Sequence, residues 1–219
     1  MDSPLSYYSN KRQEVTQLLP PIFDNSRILE IGCGVGNFRS NIPQQCEYWG
    51  IEPAAAAASV AATKISKVIV GTYREVYESI PNSFFDCVIC CDVIEHMDDH
   101  DWFFQSIKEK MKKDAVIVAS IPNVRFVTNI YNLLVLRDWK YVDSGILDRT
   151  HLRFFTEKSL KRSLKENGYS ISEFQGIHGR EIYTGTLKDI AISVGAKIAC
   201  CIIGWDSNFP QFAFRATPC

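Results

Sequence analysis

The chain of 219 residues lacks any charge bias: 24 basic side chains stand against 25 acidic ones, a formal net charge of −1. A dedicated nucleic-acid binder carries a basic excess, so this balance argues against that class of partner. No run reaches the roughly 20 apolar residues a bilayer-crossing helix needs. The N-terminal stretch MDSPLSYYSNKRQEV is polar where a secretory signal has its apolar core. Internal repeats and low-complexity linkers are missing too. Eight cysteines occur, but without the paired C-x2-C motifs of a zinc site, and Cys33, Cys87, Cys90, Cys91, Cys200 and Cys201 lie mostly in apolar runs. Together these absences predict a cytoplasmic protein with buried, reduced thiols. The sequence does contain material for a core, 46% hydrophobic and 12% aromatic, enough for a single domain over residues 1–219.

Short apolar runs alternate with longer amphipathic ones, the pattern of βαβ units around a mostly parallel sheet. Strands are expected at 27–31, 47–52, 67–70, 85–91, 115–121, 169–174 and 211–216. Helices are expected at 8–19 (a covering helix), in the alanine-rich stretch from 54, at 101–113, at 157–167 behind a Thr156 cap, and at 187–204. The fold class is therefore α/β, a doubly wound seven-stranded sheet. Residues 1–25 would cover it, 26–174 would form the ligand-binding core, and 175–219 would add an apolar helix and the last strand.

The most informative segment is a strand running into Glu30-Ile-Gly32-Cys33-Gly34-Val-Gly36 and then, by expectation, a helix. Glycines let the backbone turn sharply and approach a ligand closely. The spacing G-x-G-x-G differs from the G-x-G-x-x-G that fits a dinucleotide pyrophosphate. A carboxylate at Glu30 would repel a pyrophosphate but suits a cationic amino group. Glu52 ends the second strand, where nucleoside-binding sheets place an acceptor for ribose hydroxyls. Two carboxylates and no cation for phosphates describe a nucleoside that carries an amino acid.

RILEIGCGVGNF, the GIEP that ends strand two, and FDCVICCDVIEHMDD around strand four occur in order at appropriate spacings. In these motifs the chain resembles class I S-adenosylmethionine-dependent methyltransferases over about residues 26–174. The resemblance extends to a bacterial small-molecule subgroup that includes ubiquinone-type O-methyltransferases and proteins of polysaccharide biosynthesis. It implies a Rossmann-like methyltransferase fold whose last strand is antiparallel, with S-adenosyl-L-methionine as cofactor. The methionine end would lie over Glu30, Gly32, Cys33, Gly34 and Gly36, the ribose on Glu52 beside Pro53, and the methyl group near Cys91, Asp92 and Val93. The adenine would sit by Thr72 and Tyr73, where many relatives have Gly-Asp and this chain has Gly71-Thr72-Tyr73. Tyr7, Tyr8 and Arg12 resemble a segment that covers the cofactor.

Transfer of a methyl group to a hydroxyl needs alignment and a proton acceptor. His151 is the candidate base, because imidazole titrates near neutrality, and Asp92 is the reserve. Asp92-x-x-Glu95-His96 also reads as a metal cluster, since some relatives bind a divalent ion through E-x-x-E-H; bracing of neighbouring loops is the favoured reading, with no required metal. Residues 125–165 carry nine basic against four acidic side chains. Arg125, Arg149 and Arg153, with Asn123, are the candidate acceptor residues, and they would clamp an anionic, sugar-linked or glycan-type small molecule. The apolar stretch 190–205 is expected to pack over the sheet, with contact to a membrane interface as its alternative. Two rival functions remain open: a nicotinamide-dependent oxidoreductase, and a non-catalytic module that binds the cofactor only structurally.

Overall fold

The computed structural model describes residues 12–179 and 187–219, and the side chains of 187–193 fall outside that description. One seven-stranded sheet organises the described chain: β1 (Arg27–Ile31), β2 (Glu47–Glu52), β3 (Lys67–Val70), β4 (Phe85–Cys91), β5 (Met111–Pro122), β6 (Tyr169–Ile177) and β7 (Gln211–Pro218). Their spatial order is β3-β2-β1-β4-β5-β7-β6. Strands β1 to β5 pair in parallel, and β7 runs antiparallel between β5 and β6.

Period-two alternation divides the core between the two faces of the sheet. Leu29, Val88, Cys90, Ile117, Phe212 and Phe214 pack on one face with Phe103, Phe104 and Ile107 of α4 (His100–Lys110) and Leu160 and Leu164 of α6 (Glu157–Glu166). Ile28, Tyr48, Cys87, Ile89, Val118 and Ala213 pack on the other, beneath Val15 of α1 (Gln13–Thr16) and Ala61 of α2 (Ala55–Ala61). Cys87 and Cys90 thus lie on opposite faces of β4 and share no site. Every cysteine is free, but Cys91 is only half-buried and Cys201 and Cys219 are exposed.

Some expectations need correction. The helix expected at 8–19 is only α1 within the described residues, and Tyr7 and Tyr8 lie outside them. No α-helix follows the glycine loop. A 3-10 turn, Phe38–Asn41, takes its place, ahead of Pro43. The buried Arg39 holds this tight turn by donating to the carbonyls of Ile42, Pro43 and Gln44 at 2.7, 3.1 and 3.0 Å. The helix expected to reach residue 113 ends at Lys110, because the chain enters β5 early: Met111 pairs with Phe85, and Lys112 bonds Asp86 at 2.7 Å. Thr156 and Ser159 form the capping box of α6.

The register brings Ile31, Glu52, Val70 and Cys91 to one edge of the sheet. Strand order reverses between β1 and β4, and a crevice opens there at the carboxyl ends of the strands.

Candidate active site

A cavity of about 920 Å³ occupies this crevice. Gly32 turns the chain off β1 at φ +68, and a side chain there would come within 2.5 Å of Val93 Cγ2. Only glycine fits, so the loop after β1 lies hard against the loop after β4. The Gly32 and Cys33 amides donate to the Ile51 carbonyl at 2.8 and 3.1 Å. Glu52 completes the seam: Oε2 accepts from the Gly34 amide at 2.8 Å and Oε1 from the Ala54 amide at 2.9 Å. Each oxygen keeps a lone pair for a further donor, as a ribose diol requires.

Glu30 is buried at the cavity floor, where Tyr48 Oη donates to its Oε2 at 2.9 Å. Burial pushes its pKa up to about 8; the Tyr48 bond opposes the rise and the nearby Glu52 charge adds to it. A buried carboxyl of this kind gains most from a cationic ligand.

Glu30, Gly32, Cys33, Gly34, Glu52, Pro53, Thr72, Tyr73, Cys91, Asp92 and Val93 all line the cavity, whereas Gly36 does not. A side chain at Gly36 would meet Ala61 and Ile65, so its role is packing under α2. Thr72 sits on the wall, but its hydroxyl and amide both bond Glu75 Oε2 at 2.8 Å, capping the short helix α3 (Tyr73–Val76). The expected adenine contact through the Thr72 hydroxyl is thereby committed elsewhere. Met97, Trp102 and Phe103 also line the cavity and were missed in the sequence. Trp102 and Phe103 meet Tyr73 with ring centroids 5.6 and 5.2 Å apart, an apolar wall suited to a purine. Their signal was the cap: Asp99 accepts from the Trp102 amide at 2.9 Å, which starts α4 at the crevice.

Of the two candidate bases, Asp92 lines the cavity and His151 does not. Asp92 accepts from Ser120 Oγ at 2.8 Å and Gln211 Nε2 at 2.7 Å, and it pairs with Arg12 at 2.5 Å. Its oxygens tie β4, β5, β7 and the N-terminal segment together at the cavity wall. His151 is buried and does not line the cavity, because its Nδ1 bonds the Ile146 carbonyl at 3.0 Å. The cavity-lining histidine is His96, whose ring meets that of His151 edge-on at 4.7 Å. His96 Nδ1 lies 3.2 Å from the Thr150 carbonyl. The Thr150 hydroxyl also lies 3.1 Å from Nδ1, but it donates its proton to Asp148 Oδ1 at 2.7 Å; with two acceptors facing it, Nδ1 carries the hydrogen and Nε2 holds the lone pair. Burial, and then His151, hold the His96 pKa below its ordinary value, keeping the imidazole neutral at pH 7.

Behind His96, both carboxylate oxygens of Glu95 are buried without a hydrogen-bond partner, and burial holds its pKa well above the carboxylate range. Glu95, His96 and His151 offer ligand atoms within 4.8 Å of one another, a mixed oxygen and nitrogen set that could hold a divalent transition metal more readily than magnesium.

The candidate acceptor residues are not among those that line the cavity. Asn123 is fully buried and donates to the Asp206 and Phe209 carbonyls at 2.9 and 2.8 Å. Arg125 donates to Asp206 Oδ2 at 2.8 Å and to the Ile203 carbonyl at 2.5 Å. Arg149 pairs with Asp143 at 3.0 Å on the surface, and Arg153 donates to the Asp98 carbonyl. All four hold backbone or partner side chains in place. The rim of the cavity beyond β4 comes instead from Thr150 and Leu152.

The family described as Methyltransferase domain matches residues 6–173, more than half of the chain. The chain belongs to this family. As a member, this methyltransferase-domain chain is 27% identical over 191 residues to the ubiquinone biosynthesis O-methyltransferase, mitochondrial, of Schizosaccharomyces pombe, covering 81% of this chain and 67% of that one. It is 29% identical over 157 residues to a ubiquinone biosynthesis O-methyltransferase of Rhodopseudomonas palustris, covering 69% and 61%. The matched part thus spans about three fifths to two thirds of these relatives' length. An S-adenosylmethionine-dependent methyltransferase from Archaeoglobus fulgidus shares the fold at TM-score 0.65 and 20% identity, over 97% of this chain and 96% of that one. Glu30, the Gly32–Gly34 turn and Glu52 fit the family's cofactor, S-adenosylmethionine: a buried carboxyl for its ammonium, a close backbone approach, and an acceptor for its ribose.

Proposed function

We propose that this protein transfers the methyl group of S-adenosylmethionine to an oxygen atom of a small-molecule acceptor, with His96 as the proton acceptor. The observation that carries the reading is the pinned, neutral imidazole of His96 on the cavity wall beside Cys91, Asp92 and Val93. The relatives described above are O-methyltransferases, and the oxygen chemistry is carried over from them.

When bound, the cofactor supplies an electrophilic methyl group on a sulfonium. Glu30 would hold the ammonium and Glu52 the ribose, while Tyr73, Met97, Trp102 and Phe103 would exclude water from the purine. On this reading the wall at Cys91 to Val93 would set where the acceptor oxygen stands for in-line attack. His96 Nε2 then takes the hydroxyl proton, and the Thr150 carbonyl steadies the imidazolium through Nδ1. Arg125, Arg149 and Arg153, which suggested an anionic, sugar-linked acceptor, do not line the cavity and are engaged by Asp206, Asp143 and the Asp98 carbonyl, so this reading assigns the acceptor no phosphate or carboxylate clamp. No metal is required when His96 is the base. Turnover that disappears on chelation and returns with a divalent ion would replace this mechanism. The test is incubation with methyl-labelled S-adenosylmethionine and fractionated cell extract. Label should enter a small-molecule fraction through a base-stable ether linkage; label only in protein, or none, defeats the reading.

A further inference from the structure

The connection from β5 to α6 carries apolar surface that the site does not use. Helix α5 (Val127–Tyr131) runs into a π-helical turn, Asn132–Leu136, ended by Arg137 at φ 56. Leu133, Leu134, Val135 and Leu136 are 47%, 70%, 61% and 57% exposed. Successive helical side chains point roughly 80–100° apart, so these four sweep most of the turn's circumference. A protein groove buries one stripe of a helix, at i, i+3 and i+4, and leaves the far side wet. A fluid apolar phase surrounds a protruding tip on every side.

The surroundings of the tip point the same way. Exposed Arg137 and Lys140 flank it against one exposed acid between them, Asp138. Helix α5 packs against α7 (Leu187–Ile203), on which Ile198 and Ile202 are exposed, and Trp205 follows. The Lys197 ammonium lies 4.9 Å from the Trp205 ring centroid. Tyr131 and Tyr141 are exposed as well. Aliphatic side chains edged by Trp, Tyr and cations make up the composition of a surface resting in the headgroup layer of an anionic bilayer.

We infer that this chain docks on an anionic lipid bilayer, with the 133–136 turn entering the apolar layer and the α7 surface beside it. No helix of the described residues is long and apolar enough to cross a membrane, so the contact is peripheral. The tip belongs to the same connection that supplies Thr150 and Leu152 to the cavity rim. On the methyl-transfer reading, the surface therefore serves an acceptor dissolved in or tethered to the bilayer.

Vesicle flotation of the full chain, without cofactor or acceptor, tests the docking. Vesicles of phosphatidylcholine mixed with phosphatidylglycerol should carry the protein, pure phosphatidylcholine should carry less, and added salt should weaken the binding. Leu134→Glu with Val135→Glu should cut the bound fraction about tenfold or more, with thermal midpoint and S-adenosylhomocysteine affinity unchanged. Leu134→Ser with Val135→Ser repeats the test should the acidic pair fail to fold. Wild-type protein that stays unfloated, or variants that float equally, overturns the inference. So does a wild-type dimer that these substitutions dissolve without any vesicle binding, which would assign the tip to a second copy. Titration with S-adenosylhomocysteine on the same sample reads the methyl-transfer site separately.

Discussion

The two sides of the cavity edge use similar residue types for opposite purposes. Between β1 and β4, polar groups line the cavity: Glu30 and Glu52 present carboxyls, and the loop between them offers backbone rather than side chain. Beyond β5, Asn123, Arg125, Arg149 and Arg153 spend themselves on the chain's own carbonyls and carboxylates. The difference follows from connection length. The short turns after β1 and β2 need little: the Gly34 and Ala54 amides take one lone pair on each Glu52 oxygen and leave the others for a ligand. The long connection from β5 to α6 must satisfy its own buried polar groups, and it draws on nearby amides and guanidinium groups to do so.

The hardest blow to this contrast would come from the histidines. His96→Ala should lower turnover by about 10²–10⁴-fold with cofactor affinity unchanged. His151→Ala should act less on turnover and more on stability, since its ring supports His96 and holds the Ile146 carbonyl. Steady-state kinetics beside thermal melts separate the two. The wild-type rate should rise with pH as His96 loses its proton, with a midpoint below the ordinary histidine value. The reverse ranking of the two variants would return the base to His151.

A smaller effect is expected on the cofactor side. Glu30 is protonated below pH about 8 in the empty cavity, and an ammonium ligand needs it ionised. Affinity for S-adenosylhomocysteine should therefore fall as pH drops below that value, approaching roughly tenfold per unit. Glu30→Gln should bind about 10–100-fold more weakly, by the usual strength of a charge-assisted bond, and should lose that part of the pH dependence which Glu30 contributes. Calorimetric titration across pH checks both.

The smallest effects belong beyond β5. Asn123→Ala leaves two carbonyls without their donor and should cost about 1–3 kcal/mol of stability. Arg149→Ala breaks one exposed pair and should cost under about 1 kcal/mol. Urea denaturation reads both, and neither should alter cofactor affinity. A large loss of cofactor affinity in either would erase the distinction between the two regions.

Much of the architecture was legible from alternation alone. The first four strands fall at 27–31, 47–52, 67–70 and 85–91 as expected, because each is bounded by glycine, proline or a polar turn. Boundaries failed where a partner strand or an ion pair intervened, as Asp86 does with Lys112 at the start of β5. On the cavity wall, the residues named from the glycine loop and from the end of β2 were legible because they are local to strand ends. The place of Gly36 was not legible, because what it approaches is Ala61 and Ile65, contacts formed only when α2 folds back. His96 and His151 were both visible as residues, but not which of them would line the cavity.

The sequence by itself determined the sheet, the turn at Gly32, and the two carboxyl groups at the ends of β1 and β2. Each of these follows from side-chain period or from backbone freedom within a few residues. Only the tertiary structure decided which imidazole faces the cavity and which arginines are spent on the chain. Residues 95–96 and 150–153 are far apart in sequence, and they meet because the amides of Leu152 and Arg153 both donate to the Glu95 carbonyl, at 2.8 and 3.0 Å. Long-range backbone pairing of that kind leaves no periodic trace in the residues that make it.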